Sequence, residues 1–237
     1  VKVVPHPQPG SDEISRAADD SWVGSRGYQK PDGTRQRARA FLGVVKNSIG
    51  EDSKELFIVD IPERIDVAGD DGPLEGTETS FPMPPRGTVQ RRLTFTAEST
   101  YPGCAGIVRS SPAGDRIAYL TRDKNGIEQV FFLTPTGGQP QQITRHQTPV
   151  QSGVRWHPDG HFICYVHNNS LVVCDVRPGS SCGKIQVLTA PTEEAPTNPV
   201  WSHDGNMIAY NRLVEDSPGG QKSKQIFLLK LKQSIFH

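Results

Sequence analysis

Three stretches of this 237-residue chain repeat one another at an interval of about 45 residues, and no other feature limits its fold so tightly. Gly114, Gly160 and Gly205 lie 46 and 45 residues apart. Around them stand Ser111-Pro112-Ala113-Gly114, His157-Pro158-Asp159-Gly160 and Ser202-His203-Asp204-Gly205. Each tetrad reads as a type I turn: Ser or His opens it, Pro suits the second position in two copies, and Gly closes it. Ser110, Trp156 and Trp201 come four residues before the glycines. Alternating runs follow the turns, Arg116 to Leu120, His161 to Val166 and Asn206 to Tyr210, with Tyr119, Tyr165 and Tyr210 at one offset. Alternation of period two marks a half-buried strand.

A third strand is expected at Gln129 to Leu133, Leu171 to Asp175 and Gln225 to Leu231. A fourth, ending in Thr, is expected at Gln141 to Thr144 and Ile185 to Thr189. Four strands per repeat of this length is the period of a β-propeller blade, which must stack on neighbours to bury its faces. A divergent copy occupies residues 14–96. There Asp19 to Val23 read as the first turn and second-strand start, without the Gly, and Gln90 to Thr94 match the Thr-ending strand. Residues 61–88, rich in Pro, Gly and acid, read as an inserted loop, partly polyproline II.

The expected fold is therefore all-β: one propeller segment over 1–237, built of four-stranded antiparallel blades. About four blades are present, at about 14–96 (with the 61–88 insertion), 104–144, 150–189 and 196–237. The last shows three strands, with only Lys232 to His237 left for a fourth. Val1 to Val4 read either as the tail of an upstream blade or as a strand closing the last one. Because open edges are a liability, the expectation is a piece of a larger propeller.

Composition narrows the function. Twenty-six Lys and Arg against 26 Asp and Glu give no net charge. That argues against nucleic-acid binding by phosphate neutralisation and against a polybasic membrane anchor. No run of 18 apolar residues occurs, so no membrane insertion by a helix is expected; with neither a leader pattern nor a starting Met, a processed or truncated chain is expected. The four cysteines, Cys104, Cys164, Cys174 and Cys182, have neither zinc spacing nor the density of a disulfide scaffold. Cys164 and Cys174 flank a hairpin and meet if its loop has three residues; a two-residue turn sets them on opposite faces.

The repeat Ser/His-Pro-x-Gly-x-x-Ile-x-Tyr resembles the TolB-type, WD40-like propeller repeat, although the Trp-Asp and Gly-His signatures of WD40 blades are absent. Gly27 to Arg37 and Val89 to Thr96 resemble the bacterial YidR-type propellers, whose function is not established. The resemblance spans roughly residues 14–231. It implies a bacterial protein, periplasmic or cytoplasmic, and N-terminal blades beyond this sequence. Related propellers include TolB, a periplasmic interaction protein, the propeller domains of prolyl-oligopeptidase-like enzymes, and oligogalacturonate lyases, which hold a metal with a histidine cluster.

The chain offers little chemistry of its own. Gly179-Ser180-Ser181-Cys182-Gly183 fits the nucleophile-elbow pattern, but a strand follows where a helix is needed, so Ser181 reads as a turn residue. Arg35, Arg37 and Arg39 alternate on one side of a strand, the pattern of a solvated face. Of seven histidines, His157, His161 and His203 fall at first-to-second-strand turns. His146 precedes a first strand and His167 lies in a second-to-third-strand hairpin, so these two share the opposite face. Arg145, Gln147, Glu194 and Asn198 join them there as candidate ligand-binding residues. His146 and His167 are also the candidate metal ligands, two where a site generally wants three or more. Two functions follow: a non-catalytic module binding a protein or carbohydrate through this loop face, or, by family analogy, a divalent-metal lyase or hydrolase of acidic oligosaccharides. The absence of a convincing nucleophile favours the first.

Overall fold

The computed structural model describes residues 1–217 and 219–231, and among them it holds strands and turns but no helix. The first sheet has the order β1 (Arg16–Trp22), β4 (Ala38–Lys46), β5 (Asp52–Asp60), β6 (Val89–Arg92), with β2 (Tyr28–Gln29) and β3 (Arg35–Gln36) forming a separate hairpin. The second comprises β7 (Cys104–Ser110), β8 (Ile117–Arg122), β9 (Glu128–Thr134) and β10 (Gly137–Gln142). The third comprises β11 (Arg155–Trp156), β12 (Phe162–His167), β13 (Ser170–Asp175) and β14 (Ile185–Val187). The fourth has three described strands, β15 (Thr197–Trp201), β16 (Met207–Glu215) and β17 (Lys222–Lys230). The tail Lys232 to His237 lies outside the described residues.

One hydrogen-bond frame recurs in every sheet. The backbone N–H after the first strand donates to the second strand: Val23 to Ala38 O, Ser111 to Arg116 O, His157 to Phe162 O and Ser202 to Met207 O, at 2.8–3.0 Å. Trp22 thus occupies the register of Ser110, Trp156 and Trp201. This corrects the reading of Asp19 to Val23 as a turn: those residues lie in or directly after β1. The missing turn sits farther out, at the tip of the β2–β3 hairpin, where Gly33 N–H donates to Lys30 O at 2.9 Å. Gly114, Gly160 and Gly205 make the same bond at 2.9–3.0 Å. Val1 to Val4 form no strand; Val4 N–H donates to Ile14 O and Lys2 N–H to the Gln90 side chain.

The chain divides into two compact units, Val1–Gly126 with Phe131–Gln141 and Ile127–Val130 with Gln142–His237. In the first unit, Ala40, Leu42, Leu56 and Ile58 pack with Val108, Ile117, Tyr119 and Leu133. The opposite face of the first sheet stacks Phe41 on Phe57 at 5.6 Å, beneath Ile14 and Val3. In the second unit, Phe162, Cys164, Val166, Leu171 and Val173 pack against Trp201, Ile208 and Tyr210. The Trp201 indole donates to Arg155 O at 3.0 Å and meets the His157 ring edge-on at 4.7 Å. Asn168 and Asn169, with φ of 46° and 56°, make the two-residue β12–β13 turn, the conformation such hairpins require. Cys174 therefore pairs with Ile163 and Cys164 with Val173, on opposite faces, and all four cysteines are free thiols.

The Thr-ending segments close three sheets by one device. Leu93, Ile143 and Leu188 donate their N–H groups to the carbonyls of Leu56, Val130 and Leu171, at 2.7, 2.9 and 2.8 Å. The next residue, Thr94, Thr144 or Thr189, accepts through Oγ1 the N–H of that same third-strand residue, at 2.8, 2.9 and 3.0 Å. A Leu/Ile-Thr pair thus satisfies both backbone groups of one buried residue. In two sheets the hydroxyl proton goes to the preceding residue, Glu55 Oε2 at 2.5 Å or Gln129 Oε1 at 2.8 Å.

Thr189→Val should strand the buried Leu171 N–H and cost about 1–3 kcal/mol, read as a lower urea midpoint with an unchanged slope. Gly205→Ala should cost at least about 1–2 kcal/mol from left-handed backbone alone. Its φ is +72°, and a Cβ there would lie 2.0 Å from His157 Nε2.

Candidate functional site

The same latch carries the chain to His146. Gln129, fully buried, accepts from the His146 N–H at 3.1 Å and donates to the His146 carbonyl at 2.8 Å. One side chain therefore fixes both Thr144 and the backbone of His146. The β12–β13 hairpin brings His167 from the other side. The two imidazoles stack, with centroids 3.6 Å apart and planes 22° from parallel. His146 Nε2 lies 2.9 Å from the Tyr165 hydroxyl. His167 Nε2 lies 2.9 Å from Thr148 Oγ1, which gives its proton to Asn168 Oδ1 at 2.7 Å. With that proton committed, Thr148 accepts from His167, whose Nε2 carries hydrogen.

Both rings are neutral near neutral pH. Partial burial, and next the neighbouring His167, lower His146 from an ordinary 6.5 to about 4. Burial also lowers His167, against a smaller raising contribution from the Thr148 backbone. Tyr165 is pushed well above its ordinary range, first by burial and then by Cys174, so it keeps its proton and can donate to His146.

The other predicted residues lie at different distances from this pair along the chain. Arg145 and Gln147 flank His146 and are exposed. Asn169 ties the hairpin to the next loop, donating to Thr192 O at 2.9 Å and Glu193 O at 3.1 Å. Beyond it Glu194 accepts from Lys222 Nζ at 2.6 Å. Glu194 lines a cavity of about 410 Å³ with Arg212, Lys222 and Phe227. Asn198 is exposed on an irregularity of β15, with φ of 51°. The structure brings His146 and His167 into contact; it places Glu194 on the adjoining loop and Asn198 on a strand.

This donor set does not fit a metal. The two rings stack on each other, and each Nε2 already faces a hydroxyl. Among the described residues no three His, Cys, Asp or Glu side chains converge as a metal site would need. His157 packs among Trp201 and Phe162, while His161 and His203 are exposed. Ser181 lies in a turn, where Lys184 N–H donates to its carbonyl at 2.9 Å.

Sequence reasoning missed Gln129 and Thr148 and took Tyr165 for a repeat position only. The available signal for Gln129 was its place directly before Val130, matching Glu55 before Leu56. In the first unit two of the alternating arginines are not simply solvated. Arg37 and Arg39 hold their guanidinium carbons 5.8 and 5.0 Å from the Trp22 ring centre, and Arg37 and Trp22 line a cavity of about 570 Å³. Arg35 instead donates to Gly27 O.

Because the unfolded chain protonates His146 below about pH 6.5 and the folded chain only near 4, stability should fall as pH drops across that window and level off below it. Urea midpoints at pH 7.0, 5.5 and 4.5 should show this loss, and His146→Gln should flatten it.

No family model matches the chain. Over 219 residues it is 41% identical to the uncharacterised protein YidR of Escherichia coli (strain K12), covering 88% of this chain and 49% of that protein. The chain thus spans about half the length of this relative. The structure of TolB from Acinetobacter baumannii superposes with a TM-score of 0.51 at 18% identity, over 86% of this chain and 40% of TolB. The β-propeller domain of the Trilobed protease from Pyrococcus furiosus superposes at 0.50 and 11% identity, over 90% of this chain and 56% of that one. At these identities the two structures speak to the fold alone.

Proposed function

We propose that this TolB-type propeller segment, similar to YidR, is a non-catalytic binding module. Its ligand-reading surface is the loop face of the second unit, with His146 and His167 at the centre and Arg145, Gln147, Glu194 and Asn198 around them. The observation that carries this reading is the half-buried imidazole stack, kept uncharged by partial burial and oriented by Gln129, Tyr165 and Thr148. Rigid, neutral rings with fixed hydrogen-bonding edges suit recognition by stacking and hydrogen bonds. A protein or carbohydrate ligand would meet them, and the lack of a dominant charge favours a neutral, hydroxyl-rich glycan over an acidic one. The described residues include no helix long and apolar enough to cross a membrane.

The lyase alternative rests on family analogy and the two histidines of one face, which among the described residues lack a third ligand. Titration of ¹⁵N-labelled chain with neutral oligosaccharides, uronate oligosaccharides and acidic peptides distinguishes the readings. Neutral oligosaccharides should shift the signals of His146, His167 and Asn168, and His167→Ala should weaken binding by about tenfold, the worth of roughly one good contact. Selective binding of uronates, or shifts confined to other loops, would contradict the proposal.

A further inference from the structure

Trp22 and Trp201 hold the same register and meet different surroundings. Trp201 is buried, and its indole donates to Arg155 O. Trp22 is 51% exposed, and its indole N–H has no acceptor among the described residues. After Trp201 the chain turns at once through Ser202-His203-Asp204-Gly205. After Trp22 it runs on instead, and Gly24 to Gly27 form, with Arg37 and Ala38, the wall of the cavity of about 570 Å³. Arg39, opposite Trp22 across β1 and β4, is held over the ring by an ion pair with Asp20. Arg37 also lies over the ring, but nothing answers its charge. Arg26 and Arg37 are exposed and make no ion pair or side-chain hydrogen bond among the described residues, and no Asp or Glu lines the cavity.

The wall is tied down. Gly24 N–H donates to Ser110 Oγ at 3.0 Å and Ser25 N–H to Pro112 O at 3.1 Å. Gly24, with φ of +60°, packs so closely that a Cβ there would lie 2.7 Å from the Gly114 Cα. Arg35 donates to Gly27 O at 3.0 Å. The cavity lies wholly in the first unit and shares no residue with the histidine face proposed above.

We propose that this cavity binds a phosphate monoester carried on a sugar-sized ring. Its two unanswered guanidiniums supply two positive charges, and a phosphate monoester carries about −1.5 to −2 at pH 7 with three strong acceptor oxygens. A carboxylate has one charge and two oxygens and would leave one guanidinium without a partner. A guanidinium stacked on an indole keeps its N–H edge free for bidentate bonds to oxygen. The Trp22 indole N–H is a further donor, and Trp22, Val23 and Ala38 offer carbon surface to the ring. The volume falls within the roughly 300–1,000 Å³ of small-ligand sites. The chain's zero net charge gives no long-range field to draw in a polyanion.

The probe is glucose 6-phosphate, titrated into the ¹⁵N-labelled chain and read at the indole signal that Trp22→Phe removes. That signal and the amides of Ser25, Arg26 and Gly27 should shift saturably, more weakly with inorganic phosphate and not at all with glucose. Arg26→Gln and Arg37→Gln should each weaken binding about tenfold, the scale of one charge-assisted hydrogen-bonded pair. Their urea midpoints should stay unchanged, because neither side chain holds anything in the fold. Glucuronate or inorganic phosphate binding as tightly as glucose 6-phosphate would overturn the proposal. So would a Trp22 signal that stays still at millimolar probe, or binding that survives in the Arg26→Gln/Arg37→Gln chain.

Discussion

A buried backbone N–H that no strand reaches must find another acceptor, and in this chain a threonine hydroxyl supplies it. Thr94, Thr144 and Thr189 each accept from the third strand while the residue before them donates to it. An unanswered buried amide costs about 1–3 kcal/mol, a large share of a domain's net stability. The hydroxyl allows the fourth strands to stay short, β6 with four residues and β14 with three. It also frees the chain to leave the sheet at once, toward the next first strand.

That exit point is where the candidate site begins. Gln129 holds Thr144 with the same oxygen that receives the His146 N–H, so the element closing the second sheet also sets the first histidine in place. The Asn168-Asn169 turn delivers the second. Site and scaffold are therefore coupled through one buried amide side chain. In the first sheet the matching residue is Glu55, which accepts from Thr96 and Ala97 N–H at 2.6 Å and pairs with Arg92 at 3.0 Å. There the device is charged and serves packing; in the second sheet it is neutral and serves a loop face.

Most of the strand order could be read from sequence because its signals are local: turn tetrads, period-two alternation and a Thr at the end of three sheets. The failure at Asp19 to Val23 has a physical cause. Fourteen residues separate Val23 from Ala38 where four separate His157 from Phe162, so a hairpin carries the Pro-Asp-Gly turn away from its usual place. The expectation that His146 and His167 share a loop face rested on topology alone, since alternate loops emerge at the same sheet ends. Their stacking, neutrality and bonds to Tyr165 and Thr148 did not, because these depend on burial and rotamers that no spacing encodes. The roles of Gln129 and Glu55 were hidden for the same reason.

Native-state hydrogen exchange tests the hydroxyl latch most directly. The amides of Leu56, Val130 and Leu171 should be strongly protected, and in Thr94→Val, Thr144→Val and Thr189→Val chains each should lose protection locally. Protection of Leu56, Val130 and Leu171 that survives loss of the hydroxyl would contradict the account.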